Sequence, residues 1–216
     1  MKVSDPILDA TLTLVAEGGV DAIRYREVAQ VSGVALGTIS YRYPAREDLI
    51  RAAFAWFLEQ NTATLVASRS RVKIRDLADV AELLVGVLRT DFADKRRRYL
   101  AEYELVLYAS RDAIVAAALA AWDRQVVTEL AGTLEPLGIA QPLAAAQTLV
   151  DMFRGFQLAN LGRPDRDLDG FGARIQHVLD GLSRSSTSPS NPISRTRSPR
   201  IPRIRKGVAR VHSRLR

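Results

Sequence analysis

Between positions 24 and 46 the chain sets four arginines (Arg24, Arg26, Arg42 and Arg46) among tyrosines and a Gly37-Thr38 pair, with Glu27 as the only acid. Guanidinium forks and short hydroxyls recognise phosphates and base edges, so the chemistry on offer is non-covalent recognition of a polyanion. Little else in the chain could react. There is no cysteine, and the two histidines are His177 and His212. No nucleophile elbow, glycine-rich phosphate loop or metal-ligand spacing occurs, so the chain reads as a non-enzyme without metal or cofactor.

Those side chains need elements to hold them. The stretch YREVAQVSGVALGTISYRYPARED, Tyr25 to Asp48, reads as two short helices and a tight turn. The first is expected over Tyr25–Val31, with Val28, Ala29 and Val31 as its apolar contacts. Ser32-Gly33 breaks it, because glycine accepts a left-handed backbone without a side-chain clash. Val34 plugs the angle, and a second helix runs from Leu36 to Arg42, ending before Pro44. The next helix opens on Pro44-Ala45-Arg46, with Glu47 and Asp48 at the positive end of its dipole. An earlier helix is expected to be capped by Ser4, to carry Ile7, Leu8, Leu12 and Val15 on one face, and to stop at Gly18-Gly19. A helix-turn-helix of this form lays its second helix in the major groove of DNA.

The pattern resembles the DNA-binding domain of TetR-type transcriptional regulators over roughly residues 5 to 60. The matching features are Ala29 through Gly33-Val34, Gly37-Thr38, the aromatics Tyr41 and Tyr43, and Arg46 followed by Glu47, Asp48 and Leu49. Arg24, Leu36 and Ser40 depart from the usual residue types: the first two imply a different operator preference, and the third removes one expected phosphate or thymine-methyl contact. The resemblance implies DNA contacts from Arg26, Leu36, Gly37, Thr38, Ser40, Tyr41, Arg42 and Arg46. Leu36, Gly37 and Thr38 would meet base edges, while Tyr41, Arg42 and Arg46 would meet phosphates. Tyr43 is expected in the core.

Beyond Arg46 the apolar spacing is helical throughout, with no alternating strand pattern. Helices are expected over 46–68, 77–92, 94–110, 113–134, 142–160 and 168–182, so the fold class is all-α. The chain divides into a helix-turn-helix domain (1–46), a helical ligand-binding and dimerisation domain (47–182) and a disordered basic tail (183–216). Ten of the 31 basic residues lie in that tail, which has no acid; the remaining 21 against 24 acids leave residues 1–182 at −3. The tail's prolines, serines and charges cannot bury enough apolar surface to offset ordering entropy. Asp94 to Arg98 reads as an exposed helix start.

Tyr99, Tyr103, Trp122, Phe153 and Phe156, with Glu102 and Gln157 as polar groups, are candidates to line a cavity for a small-molecule inducer. Asp151, Arg154 and Asn160 stand behind them. The broad apolar coverage of the last two globular helices suggests a partner surface, and the resemblance makes that partner a second copy. No stretch approaches the ~20 apolar residues needed to cross a bilayer, so a cytoplasmic location without membrane contact is expected. The implied function is a ligand-responsive repressor, binding a palindromic operator as a homodimer. The alternative is a non-specific DNA-binding protein acting through its basic tail.

Overall fold

The computed structural model describes residues 5–71, 73–94 and 96–185, and within these the side chains of 63–71, 93–94, 96–98 and 184–185 lie outside the description. The tail beyond 185 and Ser4 also lie outside it. Among the described residues there are nine α-helices and no strand.

Helix α1 (Pro6–Gly18) is capped by Asp5 rather than by Ser4: one carboxylate oxygen accepts from the Ile7 N–H at 3.1 Å and the Leu8 N–H at 3.4 Å. Pro6 then takes the first helical position, where a missing N–H costs nothing. Gly19 ends α1 at φ 73°, and a 3-10 turn over Val20–Ala22 leads to α2 (Tyr25–Ser32). Gly33 closes α2 at φ 70°, its N–H donating to the Ala29 carbonyl at 3.0 Å. Helix α3 (Leu36–Arg42) has the expected bounds, and α4 (Arg46–Arg71) runs past the expected Ser68. Then follow α5 (Leu77–Asp94), α6 (Arg96–Ala109), α7 (Ala113–Leu134), a 3-10 turn over Glu135–Leu137, α8 (Pro142–Asn160) and α9 (Leu168–Ser185). Two apolar assignments need correction. Val31, on the last turn of α2, and Leu107, near the end of α6, are both more than half exposed. Each lies at a helix end, where the apolar stripe has run off its neighbours.

Burial of the apolar faces produces two cores. The first joins Val15, Val28, Ile39, Leu49, Phe54 and Phe57 of α1–α4 to Ala101 and Leu105 of α6 and Val115 of α7. The second joins Val80 and Leu88 of α5 to Leu134 of α7, Leu149 of α8 and Phe171, Ile175 and Leu179 of α9. Helix α7 serves both: Val115, Leu119 and Trp122 pack on the first, and Val127, Leu130 and Leu134 on the second. Neither core ends near residue 46.

Asp112 ties the front of α7 to α4. One oxygen caps α7, accepting from Ile114 N–H at 3.0 Å and Val115 N–H at 3.1 Å, while the other accepts from Arg51 Nε at 2.9 Å. The Val115 N–H, then the Arg51 guanidinium, hold this carboxyl below the usual carboxylate range against the opposing effect of burial. A depressed acid contributes stability that is complete above its unfolded pKa, about 3.9, and is lost as pH falls through the folded value. Asp112→Asn preserves an oxygen for the cap. The melting-temperature gap between wild type and this variant should therefore shrink as pH is lowered from 5 towards 2. A gap independent of pH would remove Asp112 from this role.

Candidate nucleic-acid interface

Helix α3 is anchored by one side and open on the other. Ile39 is fully buried, whereas Leu36, Gly37, Thr38, Ser40, Tyr41 and Arg42 all face outward. Tyr41 is 90% exposed, an unusual state for a tyrosine unless its ring serves a partner. Gly37 has ordinary helical backbone, and a Cβ added there would meet nothing within 4 Å. Packing inside the chain does not demand a glycine at that place. Arg26, on α2, is exposed and has no partner among the described residues.

The remaining expected contacts are already engaged within the chain. The Ser40 hydroxyl donates to the Leu36 carbonyl at 3.1 Å. Arg42 pairs with Asp5, Nη2 to Oδ2 at 2.7 Å, and its guanidinium lies over the Tyr43 ring. Arg46 differs most from its expected role: Nε donates to the Ile23 carbonyl at 3.1 Å and Nη2 to the Val20 carbonyl at 2.5 Å, with Asp21 at 3.5 Å. Its guanidinium is turned into the α1–α2 connection, which it braces, and its side chain is 36% exposed. Tyr43 is buried as expected, and its carbonyl accepts from the Tyr25 hydroxyl at 2.6 Å. Burial, then Asp48 and Glu47, raise the Tyr25 phenol above its ordinary value, which keeps it a donor.

The residues singled out in the C-terminal body fall largely into one connected group. The Gln157 amide lies within hydrogen-bond reach of the Tyr99 hydroxyl, and its oxygen accepts from the Tyr103 hydroxyl at 3.3 Å. Tyr103 also donates to the Arg154 carbonyl at 3.1 Å. Burial, then nearby acids including Glu102, push both phenols well above their usual range. Phe156 packs 4.4 Å from Phe171, centroid to centroid. Trp122 lies under the Arg154 guanidinium, and its Nε1 is a buried side-chain donor without a partner among the described residues. Phe153 is partly buried against the second core. Asp151 is exposed, and Asn160 spends its amide on the Phe156 carbonyl at 2.8 Å.

Several members of this group escaped the sequence reading. Phe92 stacks on Tyr99 at 5.7 Å with the rings 4° from parallel, and the Arg166 guanidinium lies over the Phe92 ring, 4.3 Å from its centroid. Asp123 holds Arg154 at 2.5 Å. Asp112 was also missed, although an aspartate just before the apolar run AIVAAALAAW is a legible helix start. On α8, Leu143 and Leu158 stand about four turns apart and are 60% and 57% exposed.

Comparison with known proteins agrees with this layout. Residues 7–53 match the family model for bacterial regulatory proteins of the tetR family, and residues 75–185 match that for a tetracyclin repressor-like C-terminal domain. The HTH-type transcriptional regulator CymR of Pseudomonas putida is 27% identical over 112 residues, 52% of this chain and 53% of that protein. The HTH-type transcriptional repressor KstR of Rhodococcus jostii is 43% identical over 49 residues, 23% of each. The chain thus spans about half the length of the first and under a quarter of the second. A transcriptional regulator from Rhodococcus sp. Rha1 superposes with a TM-score of 0.70 at 18% identity, covering 86% of this chain and all of that one. The multidrug binding protein EbrR, solved with ethidium, superposes with a TM-score of 0.64 at 25% identity, covering 80% and 96%. With both halves matched where the helix-turn-helix and the larger helical body lie, the chain belongs to the TetR family, bacterial DNA-binding regulators of transcription.

Proposed function

We propose that this protein is a homodimeric repressor that reads a palindromic operator with α3 and releases it when a small molecule binds the C-terminal body. The observation that carries the reading is the outward face of α3, above all a glycine that the fold itself does not require. Leu36, Gly37 and Thr38 are the base-reading residues, with Arg26 and Tyr41 flanking them. Glycine is the poorer helix former, by roughly 0.5–1 kcal/mol relative to alanine in a helix interior and by less in the first turn, where Gly37 sits. Its presence is explained if the backbone at 37 must come close to a base edge, where a thymine methyl or an acceptor would meet Thr38. The exposed leucines of α8 supply the apolar surface for a second copy, which sets two α3 helices on one side of a duplex.

The effector site is the group around Tyr99, Tyr103, Trp122, Phe156 and Gln157, with Glu102 and Phe153 at its edges. The unpartnered Trp122 donor and the aromatic faces suit a small organic molecule, and the likeness to EbrR, solved with ethidium and with proflavin, supports that choice. A ligand that prefers a spacing of the two DNA-binding domains wrong for the operator opposes operator binding by the same factor that the operator opposes the ligand. Helix α4 is the lever, because it starts beside α3 and is tied to α7 by Arg51 and Asp112.

Selection of bound fragments from random duplex DNA tests the reading, with a two-fold symmetric site expected. Gly37→Ala should then bind that site at least tenfold more weakly while melting at the same or a higher temperature. Binding that ignores sequence, or an unaffected Gly37→Ala variant, refutes base reading by α3.

A further inference from the structure

We propose that Asp5 is a positioning residue for sequence readout: by gripping Arg42 it fixes the angle of the recognition helix on the duplex. The inference rests on the reading of α3 given above and extends it to a residue outside the helix-turn-helix.

Helix α3 has only seven residues, and Ile39 is its sole fully buried side chain. No side chain caps its start, where Ala35 precedes Leu36. Within α3 this one apolar plug is the pivot, with Val34 packed on the core before the helix and Tyr43 buried after it. Two ties act at the other end. Tyr25 holds the Tyr43 carbonyl, and Asp5 holds Arg42. Asp5 is suited to the task because its own position is set by α1: one oxygen is spent on the Ile7 and Leu8 N–H groups, leaving the other for Arg42 at 2.7 Å. Its side chain is 16% exposed against 53% for Arg42, so the acid is the fixed partner and the arginine the one that is held. The Tyr43 ring beneath the guanidinium restricts it further. These groups border an open cleft of about 480 Å³ lined also by Leu8, Ala52 and Trp56, so on that side the end of α3 faces open space.

The geometry gives the tie its leverage. Leu36 lies three residues, ~4.5 Å along the axis, from the Ile39 pivot, so a tilt of about 10° moves it by roughly 0.8 Å. Base-edge hydrogen bonds do not survive a displacement of that size, whereas flexible phosphate contacts adjust to it. Loss of the tie should therefore cost specificity more than affinity.

The test uses the full chain and two variants, with an operator selected as above and an unrelated duplex of equal length. Asp5→Asn retains the cap, since asparagine serves α1 equally well, but removes the charge that holds Arg42. We expect about tenfold weaker operator binding, unrelated-duplex binding unchanged or tighter, and a correspondingly narrower ratio between them. Arg42→Gln should narrow the ratio similarly, and the double variant should be no worse than either single one. The proposal is overturned if Asp5→Asn tightens both duplexes alike, or if Arg42→Gln weakens both alike and lowers the salt slope by about one unit. That result would make Arg42 a phosphate contact masked by Asp5. It is also overturned if Asp5→Asn melts lower but keeps the wild-type ratio, which is a structural role only. Should wild type itself show no preference, the reading of α3 fails first.

Discussion

Phe54→Ala should lower the unfolding free energy by about 3–5 kcal/mol, the range for removing a buried aromatic ring, and the melting temperature by on the order of 10 °C. Phe54 is 1% exposed and lies where α4 meets the remainder of the first core. The cavity would open between the DNA-binding helices and the α6–α7 pair at once, so neighbouring side chains cannot collapse into it without shifting one group against the other. Urea unfolding followed by tryptophan emission is a direct measure. Both tryptophans, Trp56 and Trp122, pack against this core, so the signal reports on it and not on the second. Phe171→Ala provides the contrast. It empties a similar volume in the second core, where α8 and α9 meet, and should cost a comparable amount. Below the transition, however, Phe171→Ala should leave affinity for unrelated duplex DNA intact, whereas Phe54→Ala should reduce it. Equal effects of the two variants on DNA binding would show that the cores are not separable in this way.

Arg46→Ala carries the second large effect, about 2–3 kcal/mol of stability, as expected for hydrogen bonds from a charged donor to part-buried carbonyls. The Ile23 carbonyl would lose the Arg46 donor and the Val20 carbonyl would keep only the Ile23 N–H, beside the buried Val20 and Ile23 side chains. That stretch launches α2, so its loosening should also weaken operator binding. The salt dependence distinguishes bracing from phosphate contact: as a brace, Arg46→Ala leaves the slope of log K against log salt unchanged, whereas a lost phosphate contact lowers it by about one unit. Arg46→Lys should rescue little, because an ammonium cannot span two carbonyls as a planar fork does.

The difference between expectation and structure at Arg46 marks what a sequence can disclose. The bounds of α3 were legible because Gly33 and Pro44 punctuate it through backbone chemistry that acts over one or two residues. The burial of Ile39 and Tyr43 followed from the same local pattern. Partners were not legible. Arg46 finds its acceptors 23 and 26 residues upstream, and Arg42 finds Asp5 37 positions away, separations at which spacing says nothing. An arginine beside a helix start therefore looked open to phosphate until its neighbours in space were known. Ser4 and Asp5 are both good caps, and only the placement of Pro6 selects between them. Apolar periodicity located the buried face of α7 but could not reveal that its two halves face different cores. The C-terminal group was legible in part: Tyr99, Tyr103 and Gln157 do meet, while Phe92 and Asp123 contribute from helices whose packing was unknown.

The divided service of α7 has a practical consequence for anyone joining pieces of related regulators. A graft cut at the start of α4 would deprive the DNA-reading module of the floor that Ala101, Leu105 and Val115 provide. A chimera should instead carry α6 and the front of α7 along with the reading head, with its seam near Trp122, where one helix changes allegiance from the first core to the second.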